Sequence, residues 1–553
     1  MHHPHRTLLL ALALVLSGGA SDFAEDDAPG VSHYTPSGAF GAYLSGRFAA
    51  HANDMDMAAD EFAQVLNQDG DVQEVATQAF IAAVLAGRPS AHVLALRQLD
   101  NPVALLLLAN QDAKAGHWAE AEARVRALPG SSLTQILQPL LLAWCLEGQG
   151  RTQAAVDSLR PAMEAGPYRG IMALHAALIA DEGGQNGTAA TLYQTARADA
   201  GGINLRLGQI IASWQARQGL KTEAEATIRA VVAAGGEVSL ARAGLEADMD
   251  NRAVRQATDG MAEVYLAIAA TLRQQEALET SQIMLRFALD LRPGFTPAKL
   301  VLADALSAGR NLNQAQATLA TIPKGDPLAP IVTVRRASLL ERMGDVPQAK
   351  ALLEELADAE PDRPEPLAQI GGMLRAKEDF TAAIEAYDRA IARIAAPNRA
   401  NWPLFYERGV ALERSGQWPR AEADFRFALE LAPDQPNVLN YLGYAWADRG
   451  EHLVEASGMV QRAVAQRPND GSIIDSLGWI LLRQGDAPGA LKQLERAVEL
   501  EPEDPVINGH LGDALVAVGR KREAEFQWRR ALNLKPDPDD KRAIETKLRA
   551  LTP

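Results

Sequence analysis

Aromatic side chains make up only 5% of the 553 residues and long runs of Val, Ile and Thr are scarce, which disfavours a sheet-dominated fold. There is one cysteine, Cys145, so no intramolecular disulfide can close and no Cys-based metal site can form. Cationic residues are in deficit, 54 Lys plus Arg against 70 Asp plus Glu, and the formal net charge of -16 repels polyanions. Nucleic acid is therefore not an expected partner, and neither is an anionic membrane surface. No stretch past the N-terminal region reaches 18 uninterrupted apolar residues, so no integral membrane segment is expected. Sequence patterns for catalysis are also missing. None of the histidines belongs to an H-E-x-x-H helix, and no G-x-S-x-G, Walker-type or G-x-G-x-x-G stretch follows a plausible strand. Neither a catalytic residue nor a cofactor is implied.

What is present is an ordinary globular balance, 47% apolar and 22% charged, rich in the good helix formers Ala, Leu, Arg, Glu and Gln. An all-α fold is predicted. Its length is several times that of a usual single domain, which favours several domains or a repeat array. At the start, His2, His3, His5 and Arg6 precede the apolar run Leu8 to Leu16 and the small residues Ser17, Gly18, Gly19 and Ala20. That layout is a cleavable secretory signal over 1–20, with cleavage after Ala20, followed by a flexible stretch 21–38. A lipobox cysteine is absent, so a lipid anchor is not supported. Export without disulfides suits a bacterial periplasm.

A 34-residue period runs through the chain. Its clearest copy, Gly471 to Asp504, places Ile474, Leu477, Gly478 and Leu481 on one face of a first helix and Ala490, Leu494 and Ala497 on one face of a second. Gly478 and Ala490 mark the crossing, Gly485 and Asp486 the turn, and Pro502 the stop. The next window repeats the pattern with Leu511, Gly512, Ala524, Trp528, Ala531 and Pro536. Windows starting at Pro436, Trp402, Pro364, Pro330, Thr296 and Ala262 complete eight repeats over 262–538. More degenerate copies begin at Leu205, Gly170, Ile136, Pro102 and Ala39, giving an N-terminal array over 39–238, while 239–261 falls out of phase as an irregular connector. Residues 539–553 read as a polar capping helix.

This pattern resembles the tetratricopeptide repeat, which implies a right-handed superhelical solenoid of helix-turn-helix units. In proteins it resembles, positions 2, 5, 9, 12 and 13 of each unit face a concave groove. Carried onto this sequence, those positions include Tyr406, Asn440, Tyr444, Asp448, Asp475, Trp479 and Arg483. They form the candidate partner-binding set, two large aromatics ringed by donors and acceptors. Packing between repeats is the competing role for Tyr444 and Trp479. The paired Lys, Asn and Arg of chaperone-binding repeats are not evident. His51, Asp54 and Asp56 could ligate a metal but stand at a helix-to-helix turn, where Asp commonly caps. Cys145 beside Trp144 reads as an inert buried thiol.

The runs "LNYLGYAWADRG", "IIDSLGWILLRQG" and "INGHLGDALVAVGRKREAEFQWRRAL" also resemble the C-terminal repeats of bacterial envelope adaptors for carboxyl-terminal processing proteases. That resemblance implies a non-enzymatic scaffold whose protein partners are such a protease and cell-wall hydrolases. An assembly role in outer-membrane or polysaccharide export is a second reading, and a peptidoglycan-active enzyme a third.

Overall fold

The computed structural model describes residues 38–69, 72–165, 168–233 and 235–551. The expected signal, and all but the last residue of 21–38, lie outside the described residues. Among the described residues there are thirty α-helices and two short 3-10 helices and no strand, so the chain is all-α. It divides into two compact units, Met1–Leu352 and Leu353–Pro553. The boundary between them falls inside the helix Val346–Ala359, away from the segment 239–261.

Within the second unit the hairpins are Glu365–Ala376 with Phe380–Ala392, Trp402–Arg414 with Trp418–Leu431, Pro436–Arg449 with Leu453–Gln466, Gly471–Arg483 with Ala487–Leu500, and Pro505–Ala517 with Lys521–Asn533. Helix Pro538–Leu551 follows and buries Ile544 against Trp528 and Ala531. The ends are specified locally. Asp470 accepts from the Ile473 N–H, Asp504 from Val506 and Ile507, and a proline sits in the first turn after Asp486 and Asp504. The two helices of a hairpin meet at a small residue. A Cβ on Gly478 would stand 2.5 Å from Leu494 Cγ, and one on Gly409 2.7 Å from the Phe425 ring. Between the helices the chain needs a left-handed residue, supplied by Gly485 at φ 87° but by Glu378 at φ 60°.

The first unit begins with six hairpins, Ala39–His51 with Met55–Asp69, Gln73–Ala86 with Ser90–Ala95, Pro102–Lys114 with Trp118–Arg126, Ser132–Gly148 with Thr152–Ala165, Arg169–Glu182 with Asn186–Asp199, and Leu205–Arg217 with Lys221–Val232. The segment expected to be an irregular connector, 239–261, contains the second half of the 3-10 helix Gly236–Ala241, the short helix Arg242–Asp248, a loop, and the first residues of the helix Ala257–Gln274. That last helix lies against Pro102–Lys114, Ser132–Gly148 and Arg169–Glu182, the first helices of three successive hairpins, and every residue from Ala257 to Leu266 is buried. The unit's inner face is thus filled by its own chain.

Several contacts fix this helix. Gly260 lies under the Trp144 ring, where a Cβ would overlap the indole. Trp144 Nε1 donates to His175 Nδ1 at 3.1 Å, and burial drives the His175 pKa down to about 3, which keeps it a neutral acceptor. Tyr265 donates to Asn110 Oδ1 at 2.9 Å. At the acidic start of the helix, Asp259 Oδ2 accepts the Arg255 N–H at 3.0 Å and Glu263 Oε2 accepts from Arg206 Nε at 3.1 Å. The next hairpins then reach the chain's beginning. Arg286 Nε donates to the Leu85 carbonyl at 2.7 Å, Lys114 pairs with Asp290 at 2.9 Å, and Gln314 Nε2 donates to Asp56 at 2.8 Å, 258 residues apart.

Two outcomes follow for stability. Gly260→Ala is expected to cost roughly 1–3 kcal/mol by forcing the Trp144 contact apart, seen as a lowered midpoint in urea unfolding followed by a probe in the first unit. Glu378→Gly should raise the unfolding free energy of residues 353–553 by about 1 kcal/mol, and Gly485→Ala should lower it by a similar amount.

Candidate functional site

In the second unit the helices Pro436–Arg449, Gly471–Arg483 and Pro505–Ala517 lie side by side as the first helices of their hairpins. A four-residue step puts Asn440, Tyr444 and Asp448 in one row, and Asp475, Trp479 and Arg483 in the next. His510, from the third helix, joins the two rows. Its Nδ1 lies 2.9 Å from Asp475 Oδ2, its ring stacks on Trp479 at 4.4 Å between centroids and 18° between planes, and the Tyr444 ring is 6.3 Å away. Arg483 anchors the far side. Its Nε donates to the Ala447 carbonyl at 3.1 Å, Nη2 reaches the Asp448 carbonyl at 3.3 Å, and the guanidinium stands 5.8 Å from the Trp479 ring centre.

Sequence reasoning named Asp475 and Trp479 but passed over His510. A histidine one position beyond the expected groove position 5, 35 residues after Asp475, was the available signal. Of the other expected residues, Asp448 presents an exposed carboxylate, and Asn440 Oδ1 is buried without a hydrogen-bond partner in the protein. Tyr406 packs elsewhere, in a cluster with Trp402, Phe425 and Tyr441, the last edge-on at 5.9 Å.

The electrostatics are local. Burial works against the charged form of His510, but the charge and hydrogen bond of Asp475, aided by Asp513, outweigh it and raise its pKa, with Lys547 opposing. Lys547 itself pairs with Asp513 at 2.7 Å. Burial, and then the carboxylates of Asp475, Asp448, Asp540 and Glu413, push the Tyr444 hydroxyl well above its ordinary range, so it stays a neutral donor. The indole Nε1 of Trp479 is buried with no acceptor in the protein. Such a wall offers flat aromatic area, a hydroxyl and the exposed Asp448 carboxylate, which suits holding a chain segment.

The other residues considered are occupied structurally. Asp56 is held by Arg88 Nε at 3.1 Å and by Gln314, while Asp54 accepts the Met57 N–H at 3.1 Å. Among the described residues no group of three His, Cys, Asp or Glu side chains is placed to hold a metal ion. The thiol of Cys145 is fully buried and its pKa is pushed up to about 12 by that burial. No helix among the described residues is long and apolar enough to cross a membrane.

Two tetratricopeptide-repeat models match the chain, one over residues 334–400 and 406–471 and the other over 272–335 and 481–547. Those stretches carry tetratricopeptide repeats, and such repeats indicate a protein-binding scaffold with protein partners. The chain is 30% identical over 162 residues to the TPR repeat-containing protein PA4667 of Pseudomonas aeruginosa. The match covers 29% of this chain and spans 27% of that protein's length. Among solved structures, the chain is similar to the Cut9–Hcn1 hetero-tetramer of the APC/C, at 14% identity and a TM-score of 0.40, covering 93% of this chain and 96% of that one. It is also similar to yeast Tom70, at 15% identity and a TM-score of 0.34, covering 81% and 95%.

The His510–Asp475 pair makes a pH prediction whose sign is fixed. Because the folded pKa lies above the ordinary 6.5, the pair stabilises residues 353–553 fully below that value, and the contribution is lost as pH rises through the folded pKa. Urea unfolding across this range should show stability falling with pH in the native protein, and His510→Gln should flatten that slope.

Proposed function

We propose that the chain is an exported, non-enzymatic scaffold that captures a segment of a partner protein against the inner wall of residues 353–553. The single observation that carries this reading is the row Tyr444, Trp479 and His510, partly open on adjacent first helices. Aromatic anchors with a polar surround are what interface hot spots are made of. The first unit contributes rigidity instead, since its own helix Ala257–Gln274 covers its inner face.

Export rests on the layout of residues 1–20, and a periplasmic location on that layout with the lone, buried cysteine. A carboxyl-terminal processing protease and cell-wall hydrolases are the partner classes supported by the resemblance of residues 436–538 to protease adaptors. Catalysis by the chain itself has no support in the wall's composition. Its carboxylate Asp475 is committed to His510, and the exposed Asp448 faces no second group poised for acid–base work in the described contacts.

Crosslinking of the full chain in native envelopes, read by mass spectrometry, tests the proposal. Native protein should yield one or more proteins crosslinked to residues 436–517, and Tyr444→Ala with Trp479→Ala should reduce that yield by roughly tenfold or more. Partners recovered equally well with the doubly substituted chain would show that this wall is not where they bind. Release of cell-wall fragments by the purified chain alone would overturn the non-enzymatic reading.

A further inference from the structure

Three tryptophans of residues 353–553 stand in one repeated arrangement of ring, acid and base. Arg449 lies 4.0 Å from the centre of the Trp418 ring and reaches Glu413 at 3.5 Å. Arg426 lies 4.7 Å from the Trp446 ring and pairs with Glu422 at 3.0 Å. Lys547 stands 5.9 Å from the Trp528 ring and pairs with Asp513 at 2.7 Å. In each, the negative face of a ring and a carboxylate attract the same cation, and the chain supplies that cation itself.

Tyr444 has the ring and the acids without the base. Carboxylates reach it from four helices: Glu413 from Trp402–Arg414, Asp448 from its own helix, Asp475 from Gly471–Arg483 and Asp540 from Pro538–Leu551. Together with burial they push its hydroxyl up, and no cation is among the charges acting most strongly on it. Two of the four acids are spent inside the protein, Glu413 on Arg449 and Asp475 on His510. The side chains of Asp448, exposed, and Asp540, partly exposed, make no ion pair or hydrogen bond among the described residues. Arg483, on the neighbouring helix, is turned to the carbonyls of Ala447 and Asp448 and to the Trp479 ring. Among the described residues no Lys or Arg stands over Tyr444. A half-open ring in an unbalanced negative field calls for one class of group.

Building on the capture role of this wall, we propose that the partner segment it holds is basic, and that a Lys or Arg side chain of that segment stands over the Tyr444 ring between Asp448 and Asp540. Charge agrees at both scales. The net -16 of the chain draws basic segments in, and the two unpaired carboxylates mark where one is held. An acidic or phosphorylated segment meets the opposite field.

Peptide selection on the immobilised full chain tests this. The probe is a pool of random-sequence dodecapeptides at physiological ionic strength, acetylated and amidated so that only side chains carry charge, with the retained peptides sequenced. Lys plus Arg should be enriched roughly threefold or more over the pool. Asp448→Asn with Asp540→Asn should abolish that enrichment and leave the circular dichroism spectrum unchanged, since both side chains are unpaired and reach solvent. Enrichment that persists in this doubly substituted chain would overturn the proposal, because basic peptides would then be following the net charge of the whole chain. Retention that is lost with Tyr444→Ala and Trp479→Ala, but shows no enrichment in Lys and Arg, would overturn it while leaving the capture role standing. Peptides held equally by the native and the Tyr444→Ala, Trp479→Ala chains, or none held at all, would remove the capture role and this proposal together.

Discussion

The close crossing of two helices at a residue without a side chain is the constraint on which the structure depends. Gly371, Gly409, Gly478 and Gly512 each receive a large side chain from the partner helix, Tyr387, Phe425, Leu494 and Trp528. The small residue and the large one stand 16 positions apart in each case, which is why a fixed spacing survives while the intervening residues vary. A single hairpin formed this way buries too little to stand alone, so its remaining apolar faces must be covered by the hairpins before and after it. What differs from one stretch to another is what becomes of the inner face once stacking is satisfied.

The two units answer that differently, and one pair of residue types shows the contrast. Trp144 meets His175 edge-on at 6.2 Å and 88°, deep under the helix Ala257–Gln274, and burial alone drives the imidazole to its neutral form. Trp479 meets His510 face to face at 4.4 Å, and there the carboxylate of Asp475 reverses the effect of burial. The same two side chains give a locked polar contact in a closed interior and a proton-responsive platform on a wall. The deciding element is the acid: burial alone acts on His175, whereas the Asp475 carboxylate faces His510.

Much of this was legible in the sequence. The period, the small crossing residues Gly478 and Ala490, the turn at Gly485 and the capping helix after Pro536 all follow from local chemistry, which neighbouring repeats repeat. Tertiary closure was harder to read. The inner helices Pro102–Lys114, Ser132–Gly148 and Arg169–Glu182 carry "ALLLLAN", "LLLAWCL" and "IMALHAALIA", apolar nearly all the way round. A helix apolar on every side must be covered on every side, so these runs held the signal that something lies against the inner face. The period could not say what, because Ala257–Gln274 follows a stretch with no register to its neighbours. Tyr406 shows the same limit at the scale of one residue: repeat position places it on a face, while the bulk of Phe425 and Tyr441 decides that it packs with them.

Buried polar atoms without a partner in the protein occur in both units, Trp214 Nε1, His175 Nε2 and Asn110 Nδ2 among those of the first. The indole N–H of Trp144 in the first unit is used, and so is that of Trp528 in the second, which donates to the Gly509 carbonyl at 3.1 Å. In the wall between them in repeat terms, Trp479 Nε1 and Asn440 Oδ1 are shielded from solvent with no partner in the protein. Each such group costs the free protein about 1–3 kcal/mol, a penalty that apolar side chains of similar size would avoid. Stacking on His510 holds the Trp479 ring in place, and the Asp475 hydrogen bond holds His510, so the indole cannot turn to find an acceptor without losing the stack. Those two unpartnered atoms are closed off from solvent, so what the wall presents outward is the half-open rings of Tyr444, Trp479 and His510 and the exposed Asp448.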